Sequence, residues 1–134
     1  MKRCEFFIIY NADYGITAFK VKGYMFQKFG HWFTVRHRIP SEKHKKWIIS
    51  DFVTGVIVTD TDSSLKDIQS AVTETMVVRL LELYRNNTDS IYSNRSIREE
   101  LQQYAEMIYR GTYKNDPNSY MLDLLQSQSY ELYN

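Results

Sequence analysis

A chain of 134 residues, 43% hydrophobic and 25% charged, with five Gly and two Pro, has the composition of one globular domain and excludes a disordered or fibrous protein. Its formal charge of +1 hides a division: residues 1–50 hold ten Lys/Arg against three acids, a formal +7, and residues 51–134 hold seven against thirteen, a formal −6. A lone cysteine, Cys4, excludes an internal disulfide, and the apolar run Phe6–Tyr10 is too short for a signal peptide's apolar region or a membrane span, so a cytoplasmic protein is expected.

The first sixty residues read as strands. Glu5–Tyr10 is a β-prone apolar run, and Asn11-Ala12-Asp13-Tyr14-Gly15 supplies turn residues before a second strand, Ile16–Tyr24. Gly30–Ile39 alternates most clearly: His31, Phe33, Val35 and His37 share one face, and Trp32, Thr34, Arg36 and Arg38 share the other. Pro40 ends this strand, and Ser41–Lys46 is a charged loop. Trp47–Phe52 and Gly55–Asp60 form a further strand pair.

At Thr61 the apolar period lengthens from two to about 3.6. Ser64-Leu65-Lys66-Asp67 resembles a capping box, and Leu65, Ile68, Val72, Met76 and Leu80 form one stripe, which predicts a single long helix over 64–85. Ser96-Ile97-Arg98-Glu99 is a full capping box for a second helix that Gly111 ends, and Asp116-Pro117 opens a third. Strands followed by helices predict an α+β fold. The expected architecture is a single domain over 1–134. An antiparallel sheet of four to five strands (about 4–60, within a sheet region spanning 1–62) is packed by the 64–85 helix, and two further C-terminal helices complete the helical region, 63–134.

No spacing of the three histidines and Cys4 matches a known metal motif, and no Gly-rich phosphate loop is present. His31 and His37 are six residues apart on one strand face, roughly 20 Å when extended. A zinc site would have to draw on Cys4, His31 and His37, and catalysis, cofactors and metals are not expected. The basic segment is the stronger lead. Lys20, Lys22, Trp32, Arg36, Arg38, Lys43, Lys45 and Lys46 could hold phosphates and offer a ring for stacking. The acidic segment suggests another surface. Eight of the eleven tyrosines lie from Tyr84 onward, and Tyr109, Tyr113, Tyr120 and Tyr130 are candidates for a protein interface.

The order His31-Trp32-Phe33-Thr34-Val35-Arg36-His37, a charged loop, Trp47-Ile48-Ile49-Ser50-Asp51, then Thr54-Gly55-Val56-Ile57-Val58 and a helix from Ser64 resembles a small β-β-β-α unit. Such units occur in uncharacterised proteins of Gram-positive phages and mobile elements. The resemblance covers about residues 30–85, and its motifs are structural. It implies a short accessory protein of anti-defence type that binds host machinery. The expected function is therefore stoichiometric binding to a host nucleoprotein or defence complex, most specifically inhibition of a CRISPR effector. Direct DNA or RNA binding through the basic face is the alternative, and a zinc-containing binder or metal-dependent enzyme is the second. The two charged halves would also allow a homodimer.

Overall fold

The structure is a computed structural model that describes residues 1–12, 15–52, 55–86, 99, 103, 105–107, 109 and 110. Five strands form one antiparallel sheet in sequence order: β1 (Lys2–Ala12), β2 (Gly15–Lys28), β3 (His31–His37), β4 (Trp47–Asp51) and β5 (Ile57–Thr61). A 3-10 segment (Leu65–Ala71) and an α-helix, α1 (Glu74–Asn86), follow. The fold is α+β, as expected. The expected antiparallel sheet of four to five strands has five, with β1 and β2 longer than the apolar runs suggested. The third predicted helix and most of the second lie outside the described residues, although those described between 99 and 109 are helical.

Register explains which side chains meet. β1 and β2 pair from Lys2↔Met25 to Ala12↔Gly15, whereas β3 meets only the end of β2, from Tyr24↔Val35 to Lys28↔His31. The link between β2 and β3 is Phe29-Gly30, with φ of 52° and 76°. Positive φ at both positions is the type I′ geometry whose twist matches that of the flanking strands. β3 and β4 then pair from Phe33↔Asp51 to His37↔Trp47, and a bulge between Ile49 and Ser50 bends the pairing of β4 with β5.

Alternation sends two sets of apolar residues to opposite faces. Phe26, Phe33, Val35, Trp47 and Ile49 pack against Ile68, Val72 and Val77 to make the main core. Met25, Trp32 and Phe52 pack with Ala105 on the reverse face. Both faces of the central strands are therefore covered, which accounts for the burial of every residue of β4, Ser50 and Asp51 included. Gly23 fits where β1, β2 and β3 converge. A Cβ there would sit 2.1 Å from the Val35 carbonyl oxygen and 2.9 Å from Phe6 Cε1, so no side chain is admitted.

The predicted single helix over 64–85 is corrected. The chain runs as a 3-10 segment, extends at Val72 (φ −88°, ψ 118°), and restarts as α1. A long-range anchor and a local cap hold the chain at the break. Lys28 Nζ donates to the carbonyls of Gln69 (2.6 Å) and Val72 (2.8 Å), satisfying acceptors that a continuous helix would have used. Thr73 then starts α1, its carbonyl and hydroxyl both accepting from the Met76 amide at 3.1 and 3.4 Å. A 3-10 turn holds three residues rather than 3.6, so the stripe slips at the break. Ile68, Val72, Val77 and Leu80 are buried, while Met76 is half-buried. The Ser64 capping box also differs, because its hydroxyl donates to Asp67 Oδ2 at 3.0 Å and makes no backbone cap bond.

Candidate functional site

Two members of the expected basic site on β3, Trp32 and Arg36, are buried. Trp32 is 4% exposed and packs its ring 5.0 Å from that of Tyr109, in the cluster with Met25, Phe52 and Ala105. Arg36 is 5% exposed and grips Glu42 through two bonds, Nη1 to Oε1 at 2.6 Å and Nη2 to Oε2 at 2.9 Å. Neither group is presented for stacking or for phosphate. Tertiary burial decided this: strand alternation assigned the two residues to a face, and the reverse-face cluster covers it at Trp32.

Glu42, one acid among many bases in the sequence, has a structural task. Besides the guanidinium, its Oε1 accepts the Ile39 amide at 2.8 Å, and its own amide donates to the Ile39 carbonyl at 2.9 Å. The Arg36 bond holds the carboxyl down from 4.5 to about 2, with smaller help from the Ile39 amide. This knot ties down the first half of the β3–β4 loop.

Two acids of β5 and its exit hold the second half. Asp60 Oδ2 accepts the Lys45 amide at 2.9 Å and lies 3.2 Å from His44 Nδ1, while Asp62 Oδ1 accepts the Lys46 amide at 2.9 Å. The Lys45 amide bond is the main reason that the Asp60 carboxyl lies below its ordinary value. With the backbone bonded to β5, the side chains of Lys43, Lys45 and Lys46 remain exposed. Arg38 is exposed as well and donates to the His44 carbonyl at 2.9 Å. These four cations are the portion of the predicted basic site that the fold brings together. Lys20 is drawn elsewhere, 3.2 Å from Glu5 on β1.

Beside the base of this loop lies a hollow of about 640 Å³ whose lining includes Arg3, Glu5, Lys22, Tyr24, His37 and Trp47. Register put them there: Arg3 is opposite Tyr24, Glu5 is opposite Lys22, and His37 is opposite Trp47, so period-two alternation aligns them on one face. β3 ends at His37, and the β1–β2 pair continues past it; the hollow forms in that corner. Its rings are already stacked, His37 on Trp47 at 3.9 Å and 28°, with Tyr24 edge-on to Trp47 at 6.3 Å and 67°. Lys46 Nζ is 5.7 Å from the centre of the Trp47 ring. The buried Trp47 Nε1 has no hydrogen-bond partner among the described residues. Sequence reading leaves Arg3, Tyr24 and Trp47 out of the candidate site; the hairpin register, carried past the predicted strand Glu5–Tyr10, pairs Arg3 with Tyr24.

Cys4 and His37 line the same hollow, and His31 stands at the opposite end of β3. Among the described residues no group of three His, Cys, Asp or Glu is placed to hold a metal. Of the tyrosine set, Tyr109 is exposed, and its carbonyl accepts Lys2 Nζ at 2.7 Å. Tyr113, Tyr120 and Tyr130 lie outside the described residues. No helix among the described residues is long and apolar enough to cross a membrane. Comparison of the chain with family models, with curated proteins and with solved structures gives no match.

Proposed function

We propose that the protein acts by contact, as a phage-type accessory protein that binds a host nucleoprotein in the host cytoplasm, with a CRISPR effector as the most specific target. The observation that supports this reading is the anchored basic loop. Arg38, Lys43, Lys45 and Lys46 are exposed around a loop whose Lys45 and Lys46 amides are held by Asp60 and Asp62, with Arg38 bonded to the His44 carbonyl, so ordering the loop costs little entropy on binding. The phage setting comes from the resemblance of residues 30–85, and the loop lies inside that unit.

The test is recovery of tagged protein from a Gram-positive host lysate, followed by assay of any captured complex. The expected result is a defined nucleoprotein whose nucleic-acid loading or cleavage stops near equimolar inhibitor. Full activity of that complex at a large molar excess overturns the reading.

A second reading, direct binding of DNA or RNA, is favoured by the position of the basic loop beside a ring-lined hollow. Four phosphate contacts would weaken the complex by roughly 10²-fold between 50 and 200 mM salt. A gel shift at low salt that fades in this way supports it. Absence of any shift at low salt removes it.

A further inference from the structure

We infer that the hollow between β1–β2 and the ends of β3 and β4 is a binding site for a flat aromatic heterocycle that carries a phosphate. Two sources share this chemistry, a free mononucleotide and one residue of a single-stranded nucleic acid.

Three features lead to that class. The first is size: about 640 Å³ falls in the range that small ligands and cofactors occupy. The second is the ring stack. His37 lies on Trp47 at 3.9 Å and is itself an exposed residue, so one imidazole face is supported while the other can receive a base. Tyr24, edge-on to Trp47, completes an aromatic wall that needs no rearrangement. The third is charge. Arg3 and Lys22 line the hollow, and Lys46 lies over the Trp47 ring. Glu5, the one carboxylate in the lining among the described residues, lies 3.2 Å from Lys20 Nζ. Cations beside a ring stack match a base with its phosphate. A purely apolar ligand would leave those cations without use, and an acidic peptide would leave the stack without use.

This inference stands apart from the host-nucleoprotein reading; with a strand as its source it rests on the direct nucleic-acid reading, and a gel shift that leaves the Trp47 and His37 signals unmoved overturns the hollow while that reading stands. The experiment is a ¹H–¹⁵N NMR titration that follows the Trp47 indole and His37 backbone signals. The probes are AMP, UMP, adenosine, inorganic phosphate and a short single-stranded oligonucleotide. Saturable shifts at Trp47 and His37 with AMP or UMP, stronger than with adenosine or phosphate alone, support a free mononucleotide. Such shifts with the oligonucleotide only support the same chemistry with a strand as its source.

The double variant Arg3→Gln, Lys22→Gln should weaken the better probe by about tenfold or more while leaving the amide spectrum folded. His37→Ala should weaken it as well, and Lys66→Gln, an exposed cation outside both the hollow and the basic loop, should not. The inference is overturned if no probe shifts Trp47 up to about 10 mM. It is equally overturned if adenosine binds as well as AMP, or if the double variant binds unchanged. Should the double variant fail to fold, Lys22→Gln alone carries the comparison, and unchanged affinity again overturns the site.

Discussion

Arg36 and Glu42, six residues apart, close the first half of the β3–β4 loop with paired bonds of 2.6 and 2.9 Å. The guanidinium is buried, and the Glu42 side chain keeps 22% exposure. Removing the carboxylate leaves a buried cation without its partner, the costly way to break such a pair. Glu42→Gln retains an acceptor for the Ile39 amide, so it isolates the charge. It should destabilise the fold by about 2–4 kcal/mol, measured by urea unfolding at neutral pH.

The same pair sets an acid limit. Glu42 is held at about 2 in the fold against 4.5 without its partners, so the folded state favours the ionised form. That stabilisation is fully present above pH 4.5 and is lost as pH falls from there through about 2. The shift corresponds to about 2–3 kcal/mol after allowance for partial exposure. Thermal melts of the native chain should drop across this window, and Glu42→Gln should remove about that much of the drop. An identical pH slope in the two proteins would show that other carboxylates govern acid unfolding.

Lys28 belongs by sequence with the surface cations, yet its ammonium is committed to the carbonyls of Gln69 and Val72. Charge-assisted bonds of this kind at the end of a helical turn contribute about 1–3 kcal/mol together. Lys28→Met keeps the apolar stem and removes both bonds. Expected outcomes are a loss of about 1–2 kcal/mol and faster amide exchange at Val72, with the β2–β3 amides still protected.

The Phe29-Gly30 turn offers a gain. Phe29 holds φ 52° with 46% of its surface exposed, so it bears backbone strain and covers little. Asn tolerates positive φ and is the preferred residue before Gly in a type I′ turn. Phe29→Asn should raise stability by about 0.5–1 kcal/mol in a denaturant titration. A loss of stability would mean that the Lys28 contact with the Phe29 ring, 5.1 Å from ammonium to centroid, outweighs the strain.

Legibility followed sequence distance. The strands and their order could be read because period-two alternation and turn residues are local, as in His31–His37 and the Pro40 stop. The break at Val72 could not, since it depends on Lys28, 44 residues earlier. Composition pointed to a basic site but could not say which cations were already engaged. Arg36 went to the interior, Lys28 to the carbonyls of Gln69 and Val72, Lys20 to Glu5, and Lys43, Lys45 and Lys46 stayed exposed. The hollow was hidden for another reason. Its residues come from four strands, and only register aligns Arg3, Tyr24, His37 and Trp47.

Asp60 and Asp62 make the last testable link, from β5 to the loop. Each accepts one loop amide, from Lys45 and Lys46, at 2.9 Å. If these bonds position the cations, Asp60→Ala should speed exchange of the Lys45 amide by about tenfold, the equivalent of one bond of roughly 1.4 kcal/mol, and leave Ile49 protected. The Asp60 carboxyl is lowered in the fold, chiefly by that amide, so the anchor holds above its ordinary value of 3.8 and loosens as pH falls below it. The variant should therefore lack the acid-induced rise in Lys45 exchange, relative to Ile49, that the native chain shows. Its effect on binding separates geometry from charge, because Asp60→Ala makes the loop more positive. Electrostatics alone predicts tighter binding of an anionic partner, whereas loss of preorganisation predicts weaker binding. Weaker capture of the partner by Asp60→Ala, despite the added positive charge, is the result expected if the anchored loop forms the contact.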